Sequence, residues 1–315
     1  MKAAPLRYFL AMSAIFLMMV TSAVLCQTPG TGAISGVVYD PAKRAIANAE
    51  VLAVNEATHA SRSVQTSAEG AFRVPLLLPG NYAVTVKAAG FAEQTAHGVQ
   101  VTVSEVSSLS LTLAIAAAGT NVQVTSDAEM AQLESSTLGG VVDEEAIQAL
   151  PLSNRNYTQI LGLSPGVSVS LPDAAELGRG TQNVSANGAK TVANNIQFNG
   201  IDANNLSQNS AANDGEEVGT GIPSPDTIQE FKVQTANYDA AYGRGTGANV
   251  DLVSKSGTNR LHGSAWEFLR NNIFNANDFF VKNEGQARPT LKQNQFGATL
   301  GGPIFRDRTD RKSVV

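Results

Sequence analysis

The sequence predicts a mainly β protein that leaves the cytoplasm, and three observations carry that expectation. Charged residues make up only 16% of the 315 positions, while Gly, Ala, Ser, Thr, Asn and Val are abundant, the composition of turn-rich β structure. Runs of alternating apolar and polar residues recur, separated by Asp40-Pro41, Glu69-Gly70 and Pro79-Gly80-Asn81, which favour tight turns. The chain also opens with Lys2 and Arg7 followed by an uncharged, largely apolar run from Tyr8 to Leu25.

That opening has the form of a cleaved secretory signal over residues 1–26, with a basic start, an apolar middle and a polar Gln27-Thr28-Pro29-Gly30 stretch after it. A retained membrane anchor is the alternative, because the run reaches the length of a transmembrane helix, but no basic stop-transfer cluster follows. Cys26 is the only cysteine, and Leu25 stands where a lipid-anchored chain needs a small residue. Cleavage after Cys26 leaves no cysteine, so core burial and sheet pairing, not disulfides, must hold the mature chain together. A formal net charge of −5 offers no basic footprint, so nucleic acid is not an expected partner.

Residues 27–117 read as a compact β unit. Seven strands are expected at 33–39, 50–54, 61–66, 71–74, 82–87, 99–103 and 107–115. Tyr82, Val84 and Val86 share one face of their strand, and Leu109, Leu111, Leu113 and Ile115 share one face of the last. Half-buried strands joined by tight turns predict a small antiparallel sandwich.

Gly36-Val37-Val38-Tyr39-Asp40-Pro41, Ala49-Glu50-Val51, the TSAEGAF run from Thr66 to Phe72, Leu78-Pro79-Gly80-Asn81-Tyr82 and Ala89-Gly90-Phe91 resemble the carboxypeptidase regulatory-like domain in order and spacing. The resemblance implies a prealbumin-like β-sandwich, also classed as a carbohydrate-binding-like fold, a label for architecture that does not imply a sugar site. Ser67-Ala68-Glu69-Gly70 departs from the family's usual acidic-Gly turn, a change the fold tolerates.

A small-residue hinge from Ala114 to Gly119 leads into a linker over 118–134, which contains Thr120, Asn121, Val122, Gln123, Val124, Thr125 and Ser126. This stretch has two readings: the edge strand of the preceding sandwich, or an extended peptide that adds itself to a partner's sheet through its backbone. Further on, Asp143 is placed to cap a short helix that Pro151 stops.

From there a second resemblance builds. Leu150-Pro151-Leu152-Ser153-Asn154-Arg155-Asn156-Tyr157, Ser164-Pro165-Gly166-Val167, Ser185-Ala186-Asn187-Gly188, Asn199-Gly200-Ile201-Asp202, the IPSPDTIQEF run from Ile222 to Phe231, Asn237-Tyr238-Asp239-Ala240-Ala241-Tyr242-Gly243-Arg244 and Ser254-Lys255-Ser256-Gly257-Thr258-Asn259 resemble the plug domain of Oar-like TonB-dependent receptors. The resemblance implies an α+β plug domain over 135–256. Asn199-Gly200 replaces the family's usual Asp-Gly, and both pairs suit a type I′ turn.

With Gly301-Gly302-Pro303-Ile304, residues 257–309 resemble the first hairpin of the Oar-like barrel, which implies the start of a transmembrane β-barrel; a soluble edge hairpin is the alternative. The stretches 261–270 and 295–301 have the length of tilted membrane-crossing strands, and 271–292 reads as the polar loop between them. Trp266, Phe268, Phe274, Phe279 and Phe280 crowd this region in the manner of an interfacial girdle. Plugged barrels of this class have about 22 strands, so residues 257–315 are too few to close one, and the chain is expected to be a fragment of a longer product. Asp310-Arg311-Lys312-Ser313-Val314-Val315 resembles a translated sequencing adapter, so 310–315 is expected to be a non-native tail.

Catalytic patterns do not emerge. His59, His97 and His262 are the only histidines, and none sits in the closely spaced His/Glu pattern of a metallopeptidase, so neither a catalytic zinc nor any other cofactor is expected. No G-x-S-x-G elbow is present, and Gly243-Arg244-Gly245-Thr246-Gly247 lacks the following Lys and helix of a phosphate loop. The acidic groups at 143–145 and 214–217 are read as a helix start and a loop, with Ca²⁺ binding as an alternative for the second.

The resemblance implies an outer-membrane receptor for energy-coupled uptake of an unidentified extracellular ligand, carbohydrate or peptide being the classes considered. Residues 120–126 would then engage a TonB-type periplasmic energy-coupling protein. The alternative is an exported carbohydrate-binding, protein-binding or adhesion protein that works through its sandwich, which would require exposed aromatic rings there.

Overall fold

The computed structural model describes residues 30–116, 122–125, 136–150, 152, 155–169, 184–204, 223–238, 240, 242–243, 245–305 and 309–314. The apolar leader at 1–26, the acidic loop at 214–217, and Thr120, Asn121 and Ser126 of the linker lie outside the described residues.

Seven strands form in the expected order: β1 (Gly32–Tyr39), β2 (Glu50–Asn55), β3 (Ser61–Gln65), β4 (Ala71–Leu77), β5 (Gly80–Lys87), β6 (Gln94–Val101) and β7 (Val106–Thr112). With β8 (Val122–Thr125) they make two sheets, ordered β4-β1-β7 and β3-β2-β5-β6-β8. Their inner faces meet around Ile34, Val38, Val51, Phe72, Val84, Leu109 and Leu111, all buried. Each such side chain contributes roughly 1.5–3 kcal/mol by leaving water.

Three expectations are corrected here. The sandwich is not wholly antiparallel: β1 runs parallel to β7, and β6 parallel to β8. The turn after β6 carries the chain from one sheet to the other, so β7 enters beside β1 in the same direction, and alternation within a strand is blind to direction. Strand β6 begins at Gln94, not at residue 99, because Gly98 at φ +70° sits where the register to β5 shifts between Tyr82 and Val84. That bulge puts Ala96 and Val99 both in the core and hides the alternation. Ile115 lies beyond β7 and is exposed, bridging to Phe91 instead of continuing the buried leucine face.

The second unit contains β9 (Leu138–Val142), α1 (Glu144–Ala149), α2 (Thr158–Leu161), β10 (Val167–Val169), β11 (Val184–Ala186), β12 (Asn195–Phe198), β13 (Ile201–Asp202), β14 (Ile228–Ala236) and β15 (Asn249–Ser254). Its main sheet is ordered β13-β12-β15-β14-β9, with β12 and β15 parallel. Asp143 accepts a 2.9 Å bond from the Ala146 amide and caps α1 as expected. Asn199 and Gly200 both have positive φ, 52° and 78°, as the turn between β12 and β13 requires. One face of this sheet packs Phe231, Val233, Val250 and Leu252 against Ile147, Tyr157, Ile160 and Leu161.

Last come β16 (His262–Asn271), the short helix α3 (Phe279–Asn283), β17 (Lys292–Phe305) and β18 (Thr309–Val314), forming a sheet ordered β16-β17-β18. The β16–β17 pairing runs without interruption from His262 opposite Gly301 to Asn271 opposite Lys292. Residues 310–314 of the expected tail belong to β18, whose side chains lie outside the described residues.

Candidate functional site

Opposite its apolar face, the sheet of the second unit carries a buried polar one. Lys232, Asp251 and Gln197 stand side by side on β14, β15 and β12, and Gln234, Asn249 and Asn195 form the next row. Glu230, Lys232, Gln234, Asn249 and Asp251 are each at most 5% exposed. Charges buried so deeply are costly unless partnered.

The sandwich supplies the partners, from the turn between β6 and β7. The Val103 amide donates to the Glu230 carboxylate. Lys232 Nζ donates to the Ser104 carbonyl at 3.0 Å and lies 3.3 Å from Glu105 Oε1. Ser104 Oγ donates to Asp251 Oδ2 at 2.8 Å, and the Tyr242 hydroxyl donates to the same oxygen at 2.7 Å. Two units distant in sequence are thus fastened by a dehydrated, charge-assisted joint.

Burial governs the protonation of this joint. It pushes the Glu230 carboxyl up to about 7, against the opposing bond from Val103. Burial likewise raises Asp251 despite the bonds from Tyr242 and Ser104, and burial with the adjacent Asp251 raises Tyr242. None of these residues stands out in the sequence. The polar alternation of Glu230, Lys232 and Gln234 reads as an ordinary solvated strand face, and nothing local shows that a second unit covers it.

The linker residues take the edge-strand position. Val122, Gln123, Val124 and Thr125 form β8, opposite Gln94, Thr95, Ala96 and His97 of β6. The chain reaches that edge through bonds from Ala92 to Ala114 (2.8 Å) and from Ala116 to Gly90 (3.1 Å). The next strand in sequence, β9, is the outermost of the second unit's main sheet, with Val142 opposite Phe231.

The β16–β17 hairpin has two unlike faces. Leu269, Phe296 and Leu300 point to one side and are 58%, 82% and 61% exposed, together with Ala265 and Ala298 and the polar Glu267 and Asn294. Trp266, Phe268 and Thr299 occupy the other side, where the Arg155 guanidinium sits 4.2 Å from the Phe268 ring centroid and also pairs with Asp226. The expected single girdle of aromatics is therefore divided. Trp266 and Phe268 are on the side that meets Arg155, whereas Phe274, Phe279 and Phe280 are exposed in the connection between the strands. Strict alternation within β16 separates residues that crowd together only in sequence. On the sandwich, Phe72 and Tyr82 are buried and Tyr39 and Phe91 half-buried, which leaves little aromatic surface on which a sugar could stack.

Comparison with known proteins follows the same divisions. The family model of the carboxypeptidase regulatory-like domain matches residues 33–114, that of the TonB-dependent receptor plug domain matches 131–250, and that of an outer membrane beta barrel domain matches 253–309. The TonB-dependent transporter Oar of Myxococcus xanthus is 27% identical over 284 residues, which is 87% of this chain and 25% of the relative. The chain thus spans about a quarter of that curated protein. Among solved structures, the siderophore receptor PirA of Acinetobacter baumannii aligns with TM-score 0.41 and 18% identity over 56% of this chain and 23% of its own. The outer membrane transporter YddB of Escherichia coli aligns with TM-score 0.43 and 18% identity over 56% and 26%.

Proposed function

Since this chain belongs to the TonB-dependent receptors of the Oar-like kind, we propose that it is the periplasm-facing and pore-blocking part of an outer-membrane receptor that takes up an extracellular ligand by energy coupling. The observation that carries this reading is the two-faced hairpin. Its Phe268 side rests on Arg155 of the plug, while the reverse presents Leu269, Phe296 and Leu300 beside a single charge, Glu267, and Asn294, a mainly apolar surface that suits lipid contact toward an interface.

In this mechanism residues 120–126 are the coupling segment, recognised by a TonB-type periplasmic protein through strand addition. Tension on that segment reaches the plug first at β9, an outermost strand held on one side only by β14. Loosening β9 exposes the edge of β14 and with it the polar layer of Glu230, Lys232 and Asp251, where water can replace the bonds of the dry joint. Under this reading the ligand is a carbohydrate or a peptide.

The test uses the complete gene product in its own cells, with a photo-crosslinking residue in place of Val124. The expected result is outer-membrane fractionation together with an adduct to the TonB-type protein. Recovery in the soluble periplasm, or outer-membrane recovery with no such adduct, would overturn the reading.

A further inference from the structure

Resting on the reading of the hairpin as the start of a membrane wall, we propose that the chain carries a phospholipid site at the sandwich end of that wall: a cleft in which Arg260 takes the phosphodiester of a headgroup while Leu261 receives the first methylenes of an acyl chain. The cleft has a volume of about 430 Å³, and all three units line it: the sandwich through Pro79 and Gly80, the plug through Glu144 and Lys255, and the wall through Arg260 and Leu261. Ligand pockets of this size gather where units meet.

Bonds between the units hold the walls of the cleft in place. Gln229 Nε2 of the plug donates to the Pro79 carbonyl at 3.0 Å, and the Asn259 amide donates to the Ala57 carbonyl at 3.2 Å. Thr258 Oγ1 donates to the Arg260 carbonyl at 3.1 Å, and His262 Nδ1 lies 2.8 Å from the same oxygen. The backbone that presents Arg260 is thus fixed before any ligand arrives. Charge there is unbalanced. Lys255 is paired with Glu144, whereas the exposed Arg260 guanidinium pairs with no carboxylate among the described residues. A guanidinium free to fork onto two oxygens suits a phosphodiester, whose one negative charge it balances.

Position selects a lipid over a free anion. The 10 residues of β16 are enough to cross a bilayer as a tilted strand, so Arg260, just before its start, falls at the level of the headgroups. That end of the wall adjoins the sandwich and is the periplasmic end under the proposed function, which places the lipid in the inner leaflet. Leu261 is 78% exposed and turns to the lipid side. A Cβ on Gly302 would stand 3.1 Å from Leu261 Cδ1, and Gly302 shares the strand face of Leu300. An unmatched guanidinium at headgroup depth beside a leucine turned toward hydrocarbon fits the two ends of an amphiphile. Free phosphate would use the first and leave the second without a partner.

The experiment recovers the complete receptor from the membrane fraction of its own cells, purifies it in a neutral detergent and titrates it with dioleoylphosphatidylglycerol, counting bound copies by native mass spectrometry. A single tightest copy is expected, bound about five- to tenfold more weakly by Arg260→Gln. Leu261→Ser should weaken it too, and keeps the proposal testable should Arg260→Gln not fold. Lys292→Gln removes the same charge at the far end of the hairpin, opposite Asn271, and should leave that copy unchanged. Binding weakened equally by Arg260→Gln and Lys292→Gln, or by neither, would overturn the proposal and leave the receptor reading intact. Displacement of the lipid by an equal concentration of inorganic phosphate would also overturn it, because the cleft would then be a site for free anion. Recovery of the complete receptor from the soluble periplasm would remove the receptor reading, and the proposal with it.

Discussion

Ser104 and Asp251 meet at 2.8 Å although 147 positions separate them in sequence. One lies on a sandwich turn and the other on the middle strand of the plug sheet, and the Tyr242 hydroxyl reaches both, at 2.9 Å and 2.7 Å. The bond fixes the sandwich at the centre of the plug, away from its edge. It makes the joint the natural place to ask how the two units depend on each other.

Lys232 supplies positive charge to a joint that also holds Glu105, Glu230 and Asp251. Replacing one partner of a buried ionic group costs on the order of 3–5 kcal/mol because the remaining charge is left in low dielectric. Lys232→Met is therefore expected to lower the urea midpoint and to let protease cut between sandwich and plug. A variant as resistant as the parent would show that the joint holds little energy.

Glu230 gives the joint a pH dependence of definite sign. Its carboxyl is raised from 4.5 to about 7 in the folded protein, so the folded state holds the proton more tightly than the unfolded chain. The associated stability is fully present below about pH 4.5 and is lost as pH rises through about 7. Docking should be firmer at pH 5.5 than at pH 8, by on the order of 1–3 kcal/mol. Asp251 adds to the same trend because its carboxyl is also raised. Glu230→Gln should flatten the dependence, as read by unfolding midpoints across that range.

The sequence was most legible where a strand faces one core. The alternation of Tyr82, Val84 and Val86 and the capping Asp143 both report on their immediate surroundings, and both are found as expected. It was least legible where a second unit intervenes. Glu230 and Lys232 alternate with Phe231 and Val233 as any surface strand would, and only the turn at Val103–Glu105 converts that polar face into a buried joint. Gly98 shows a third case, since one inserted residue shifts the parity of β6 and conceals half the strand. Residues 120–126 were readable as a strand, but not which edge receives it.

Arg155 is expected to connect plug and wall. It pairs with Asp226 while stacking over Phe268, and its side chain is only 13% exposed. A double-mutant cycle of Arg155→Met and Phe268→Leu should give a coupling of about 0.5–2 kcal/mol. Arg155→Lys should fail to restore it, because an ammonium cannot both stack and fork toward a carboxylate. Strict additivity of the two single changes would remove this contact from the account.

On the opposite side of the hairpin, charge should be penalised. Leu300→Arg, opposite Gly263 and away from Glu267, is expected in the complete receptor to cost about 2–4 kcal/mol if the site lies at mid-bilayer, less toward an interface. Gln295→Arg, on the plug side, should cost less. Urea titration of receptor folded into phospholipid vesicles would measure both, and equal penalties would contradict the assignment of faces.

The most direct test of the wall-and-stopper arrangement is a cysteine scan of positions 293–300 in the complete receptor, each labelled with a fluorophore and exposed to a lipid-borne quencher. Quenching is expected at 294, 296, 298 and 300 and to be absent at 293, 295, 297 and 299. Quenching with no period of two, or with the opposite parity, would contradict it.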